Sequence, residues 1–179
     1  MSKEDDIKRI EVINPKLVYK PNCAYMNAQC IHEYDELKVE LWCDKHYHNH
    51  LEYGDKDGAR EGIEIDGVQE AIIESFKYLL DIYLRGTRFD FINYFDPKKP
   101  KKPPHRIVVK KILEESVLNV VMETHYLESS KFEITVITAM VVDDFKVADG
   151  QHVITISDNK ATLRRSIRKE LIKIYQLEF

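Results

Sequence analysis

The C-terminal half of the chain is built from β-branched runs broken by short polar segments, and this pattern constrains the fold most. The runs lie at residues 105–113, 117–127 and 131–142. Valine, isoleucine and threonine fit the pleated surface of a sheet, so each run predicts a strand. The connecting segments 114–116 and 128–130 are only three residues long, which is typical of an antiparallel meander. A turn at Asp149-Gly150 precedes a fourth strand at 151–156.

A period of three and four residues between positions 66 and 85 predicts a long amphipathic helix. The apolar positions that recur at this spacing are Val68, Ile72, Ile73, Phe76, Leu79, Leu80 and Tyr83. Asp66 is placed to cap the helix N-terminus, and Gly86 stands where a C-terminal glycine belongs. A closing helix is expected over 159–176, with an apolar stripe of Leu163, Ile167, Leu171, Ile174 and Tyr175.

The N-terminal part has a weaker pattern. Residues 36–43 alternate polar and apolar side chains, which predicts a half-buried strand, whereas 21–34 have no clean period and are interpreted as a loop or short helix. The expected fold is therefore α+β, a three- to four-stranded antiparallel sheet packed by a long helix and a C-terminal helix. Residues 1–45 are assigned to a small β-containing lobe and 46–179 to the main domain.

Composition limits the functional classes. The net charge is −4, which argues against nucleic-acid binding over the whole surface but leaves room for a local basic groove. No apolar run approaches the roughly 20 residues that a bilayer-spanning helix needs, and the N-terminus is polar. We therefore expect a cytoplasmic protein with no membrane partner.

Histidines mark the first candidate site. His46, His48 and His50 alternate within five residues, and Arg60 follows shortly after them. Imidazole suits proton transfer near neutral pH, and a guanidinium suits a phosphate or a developing oxyanion. His48, His50 and Arg60 are therefore candidate catalytic residues. The alternative is a solvated loop whose histidines are incidental.

A second group of polar residues lies on the predicted strands. Arg106, His125 and His152 would form the floor of a site if one face of the sheet carried all three. The alternative interpretation is the polar, solvent-facing side of a two-sided antiparallel sheet.

The three cysteines raise the question of a structural zinc ion. Cys23, Cys30, Cys43 and His46 have the spacing C-x6-C-x12-C-x2-H. Its second half resembles a zinc knuckle, whereas its first half is longer than the usual spacing. The alternative is three free thiols, since unpaired cysteine often behaves as a small buried hydrophobe.

The segment from His50 to Arg60, continuing through Glu61-Gly62-Ile63 into the helix, resembles the toxin-like endoribonucleases of the RelE type, which include the phage-encoded RegB enzyme. These belong to a wider group with barnase, EndoU and the colicin nucleases. The resemblance covers residues 46–156, with Arg106 near the start of the following sheet. The glycine-containing insertion at 54–58, the acidic net charge and the first 45 residues depart from the pattern of the family.

The resemblance implies RNA cleavage without a metal cofactor. A base would remove the proton of the ribose 2′-OH, and an acid would protonate the 5′-oxygen leaving group. His50 would form the acid-base pair with either His48 or His125, and Arg60 or Arg106 would stabilise the phosphorane. RNA would then be the partner.

Two functions of another kind stay open from the residues alone. The first is a non-catalytic, zinc-stabilised binding or adaptor protein of a phage or defence system, with a protein partner. The second is an antitoxin or inhibitor, for which a compact acidic domain is suitable.

Overall fold

The computed structural model describes residues 19–34, 38–45, 47, 63, 65–85, 90–94, 98, 103–128 and 131–178, with the backbone alone at 32–34. The helix α1 spans Ile65–Leu84. The strands are β1 (Ala28–Tyr34), β2 (Val39–Asp44), β3 (Ile92–Tyr94), β4 (Ile107–Ile112), β5 (Val117–Glu128), β6 (Lys131–Val141), β7 (His152–Ser157), β8 (Lys160–Ile167) and β9 (Glu170–Glu178). Within the described ranges, no helix has the length and apolar character needed to cross a membrane.

All nine strands form one mixed sheet. Its order is β1-β2-β6-β5-β4-β7-β8-β9, and β3 pairs with the far end of β5 on the side that β4 occupies. The hairpins β4–β5, β5–β6, β7–β8 and β8–β9 are antiparallel. The pairings β2–β6, β3–β5 and β4–β7 are parallel and join distant parts of the sequence.

One face of the sheet, which we call the helix face, carries the main hydrophobic core. Alternate residues of the central strands point to it, and α1 covers it with Val68, Ile72, Phe76, Leu79 and Ile82. Phe76 packs edge-on against Phe132 of β6, with ring centroids 5.4 Å apart. Lys111, at the end of β4, contacts Glu70 and Glu74 of α1 at 3.0 and 3.5 Å.

The opposite side of the sheet, which we call the polar face, has only a small apolar cluster at its centre. Val108, Val121, Ile137 and Val153 form it, and Tyr25, Phe145 and Val147 pack on top. On either side of this cluster the polar face carries charged and hydrogen-bonding residues. This division places the two groups of charged residues described below on one surface.

The expected architecture of a small antiparallel sheet with two helices is wrong. The sheet is mixed and nine-stranded, and the segment 159–176 forms the hairpin β8–β9 instead of a closing helix. The apolar spacing there imitates a helix because a bulge in β9, with Ile174 as the extra residue opposite Leu163 and Arg164, shifts the alternation by one residue. The two-residue turn at Arg168-Lys169 also lacks the Asn-Gly sequence that usually marks a hairpin.

Other predicted elements are confirmed. The long helix and the strands expected at 105–113, 117–127, 131–142 and 151–156 correspond to α1, β4, β5, β6 and β7. The turn at Gly150 is present, with a φ of 84°. The predicted loop at 21–34 contains β1 in its second half, and β1 and β2, from the predicted N-terminal lobe, belong to the common sheet.

Candidate functional site

A buried carboxylate on β5 organises the candidate site. The side chain of Glu123 is 1% exposed and lies on the polar face. Its Oε1 accepts a hydrogen bond from Nε of Arg106 at 2.9 Å, and its Oε2 lies 3.2 Å from Nε2 of His125. A carboxylate without such partners would be costly to bury, so these two contacts account for its position.

The strand register explains why these three residues meet. Ile107 of β4 pairs with Met122 of β5, so Arg106, one residue earlier, lies beside Glu123. His125 follows Glu123 by two residues on the same strand and therefore shares its face. Asn93 of β3 fixes the approach to β4, because its side chain exchanges two hydrogen bonds with the backbone of His105.

The contact with Glu123 orients the His125 ring. A carboxylate only accepts hydrogen bonds, so Nε2 donates the proton and Nδ1 is left to exchange a proton with a substrate. The His125 side chain is 12% exposed, whereas that of Arg106 is 38% exposed. The guanidinium of Arg106 and one edge of the His125 ring are therefore open to solvent, whereas the carboxylate of Glu123 beneath them is buried.

Tyr25 is the second side chain that contacts Arg106. Its hydroxyl oxygen accepts a hydrogen bond from Nη2 of Arg106 at 2.9 Å, so its own proton is free to be donated elsewhere. Burial raises the pKa of the Tyr25 hydroxyl, and the charges of Glu123 and Asp44 add to this against the opposing charge of Arg106. Tyr25 is thus a protonated donor at neutral pH.

The segment before β1 holds Tyr25 over the polar face. Asn22 accepts hydrogen bonds from the backbone N–H groups of Ala24 and Tyr25, and it donates one to Thr135 of β6 at 2.7 Å. The N–H of Cys23 donates to Oε1 of Glu133 at 2.8 Å. Through these contacts a loop far from β4 in sequence brings a phenol to Arg106.

The structure brings together Arg106 and His125 but separates His152 from them. His152 pairs with Ile107 and lies on the helix face, where it is 3% exposed and packs edge-on against Phe91. Burial and the charge of Arg165 lower the pKa of His152 to about 4. The expectation that one face carries all three residues is therefore wrong.

The structure does not gather the three cysteines. Cys43 is fully buried on the helix face, whereas Cys30 pairs with Trp42 and so shares the polar face with it. Cys23 is exposed, and partial desolvation and the nearby carboxylate of Glu133 raise its pKa to about 11. A cysteine binds zinc as a thiolate, and in the described part of the chain no three His, Cys, Asp or Glu side chains form a metal-binding group.

Four sequence-predicted site residues lie outside the described residues, namely His46, His48, His50 and Arg60. Their roles stay predictions. The sequence reasoning missed Glu123 and Tyr25. Glu123 could have been found as a carboxylate within the apolar run Val-Val-Met-Glu-Thr-His, where a buried charge requires a partner. No local signal points to Tyr25, which reaches the site only through the fold.

Comparison of the chain with protein-family models, with curated proteins and with solved structures gives no match.

Proposed function

We propose that the protein is a metal-independent endoribonuclease whose site is built on Arg106, Glu123, His125 and Tyr25. The observation that carries the proposal is the shared carboxylate, because Glu123 fixes a phosphate-binding group and a proton-transfer group side by side. A buried residue that orients a histidine of the site is a recurring arrangement in acid-base catalysis. The polar face of the sheet is the surface on which the RNA would lie.

Arg106 is suited to hold the scissile phosphate. Its contacts with Glu123 and Tyr25 use two of the five N–H donors of the guanidinium. The others can contact the non-bridging phosphate oxygens as negative charge develops on them. Because Glu123 and Tyr25 each hold one nitrogen of the guanidinium, it needs little reorganisation during the reaction.

The reaction requires proton transfer on both sides of the phosphate. His125 takes the proton of the ribose 2′-OH through Nδ1, and the 2′-oxygen attacks phosphorus. The bond to the 5′-oxygen breaks, and Tyr25, which also contacts Arg106, gives that oxygen a proton. The products are a 2′,3′-cyclic phosphate and a free 5′-hydroxyl. His50 is the sequence-predicted alternative to Tyr25 in the second role.

The test is the chemistry of the product. Purified protein is incubated with a single-stranded RNA of mixed sequence in EDTA, and with the same sequence in all-deoxy form. We expect RNA fragments that end in a 2′,3′-cyclic phosphate and no cleavage of the DNA, because the DNA lacks the attacking 2′-OH. Intact RNA, or cleavage of both substrates, would contradict the proposal.

A further inference from the structure

A second group of charged residues lies on the polar face, beyond its central apolar cluster. Lys110 of β4 and Arg164 of β8 point to this face, because they alternate with core residues of the helix face. Lys173 of β9 shares the face as the cross-strand partner of Arg164. We call these three residues the basic stripe. Arg164 and Lys173 are direct cross-strand partners, and like charges in such positions repel each other.

The basic stripe is not neutralised by carboxylates. Within the described part of the chain, none of its three residues forms an ion pair with an acidic side chain. Nη1 of Arg164 donates to Oγ1 of Thr155 at 3.2 Å, and Nζ of Lys110 has a long contact of 3.5 Å with the Phe145 carbonyl. Partial burial and the charge of Arg164 lower the pKa of Lys110.

The residues that directly follow Lys110 and Arg164 in the sequence provide a comparison for the basic stripe. Lys111 follows Lys110 directly but lies on the helix face, where two glutamates of α1 neutralise it. Arg165 follows Arg164 and donates to the Gly150 carbonyl. Among the described residues, Lys111 therefore has the carboxylate partners that Lys110 lacks, whereas Arg165, like Arg164, has only a neutral acceptor. An uncompensated positive group on a folded surface is suited to an external anion.

The position of the basic stripe relative to Arg106 indicates which kind of anion it would bind. Arg106 and Lys110 lie four residues apart on the same face, which corresponds to about 13 Å along the strand. The half-buried ring of Phe145 packs on the apolar cluster between them. Cations that alternate with an aromatic ring are the pattern of a single-stranded nucleic-acid track, in which phosphates pair with the cations and bases stack on the ring.

We propose that the basic stripe binds a backbone phosphate of a single-stranded RNA whose scissile phosphate lies at Arg106. This rests on the endoribonuclease function proposed above, and it assigns the path of the bound strand over the polar face, from Arg106 along β4 to Lys110 and on towards β8 and β9. The stripe contributes affinity without sequence preference, because it contacts phosphates and not base edges.

The test is binding of a non-cleavable, single-stranded deoxy-oligonucleotide, followed by fluorescence anisotropy at several salt concentrations. The double variant Lys110→Gln/Arg164→Gln removes two charges of the stripe. The matched control Lys111→Gln/Arg165→Gln removes the same two charges from the adjacent positions. We expect the first variant to bind at least tenfold more weakly and to have a shallower salt dependence, by about 0.7 in log–log slope per lost contact. The control should bind within about twofold of the wild type, as expected for positions away from the track.

The outcomes separate the two proposals. Equal binding by the two double variants, or no binding by the wild-type chain at low salt, would overturn the phosphate subsite whatever the cleavage assay shows. Selective loss in Lys110→Gln/Arg164→Gln would support the subsite. If such a loss were found with a wild-type chain that leaves RNA intact in EDTA, the subsite would stand and the endoribonuclease function would fall.

Discussion

Nε2 of His125 lies 3.2 Å from Oε2 of Glu123, two residues earlier on the same strand. This contact joins a buried carboxylate to an imidazole ring that is partly exposed. Glu123→Gln keeps the size of the side chain but removes the charge that Arg106 and His125 contact. We expect the free energy of unfolding to fall by about 1–3 kcal/mol, measured by urea denaturation. Glu128→Gln, at the exposed end of the same strand, should have almost no effect. Equal stability of the two variants would contradict the central role of Glu123.

Tyr25 gives a prediction that separates chemistry from packing. Tyr25→Phe keeps the ring that packs on the apolar cluster and removes only the hydroxyl that Arg106 contacts. If the phenol protonates the leaving group, kcat for RNA cleavage should fall about 10²–10⁴-fold. The urea midpoint should change little. A kcat close to that of the wild type would exclude Tyr25 and leave His50 as the candidate acid.

His152 predicts a loss of stability in acid. The folded-state pKa of about 4 lies below the ordinary value of 6.5, so the unfolded chain takes up a proton first as the pH falls. The contribution of His152 to the free energy of unfolding is therefore fully present above pH 6.5. It is lost between pH 6.5 and 4, and the loss is on the order of 3 kcal/mol. The replacement His152→Leu should remove this component from the pH profile. Superimposable profiles of the two proteins would count against the assignment.

The turn between β8 and β9 offers a stabilising change. Arg168 and Lys169 have φ values of 53° and 69°, which are unfavourable for residues with a Cβ atom. Replacing them with Asn-Gly should raise the free energy of unfolding by about 1–2 kcal/mol, because this pair suits such a turn. The β7–β8 turn is the control, since Asn159 is not among the residues with positive φ. Asn159→Gly should give no gain, and an equal gain at both turns would contradict the explanation.

The sequence predicts local structure well where the signal is local. The helix α1 and the strands β4 to β7 follow from periodicity and β-branched composition. The parallel pairings β2–β6 and β4–β7 could not be predicted, because they join segments that no pattern connects. The β8–β9 hairpin is hidden by the bulge in β9 and by a turn of two charged residues.

For the candidate site, too, the residue types could be predicted from local sequence, whereas the contacts between distant strands could not. Arg106 and His125 are recognisable as reactive residue types on predicted strands, but their meeting depends on the register of β4 with β5. The face of His152 depends on the parallel β4–β7 pairing, which the sequence analysis did not include. For the cysteines, the strand pairing of β1 with β2 decides that Cys30 and Cys43 point to opposite sides of the sheet.

The initial rate of RNA cleavage in EDTA by His125→Ala, compared with His105→Ala, tests the central claim most directly. His105 is exposed and adjacent to Arg106 in sequence, so its replacement controls for loss of an imidazole near the site. We predict a fall of about 10²–10⁴-fold for His125→Ala and a rate close to that of the wild type for His105→Ala. Equal rates in the two variants would contradict the assignment of His125 to proton transfer.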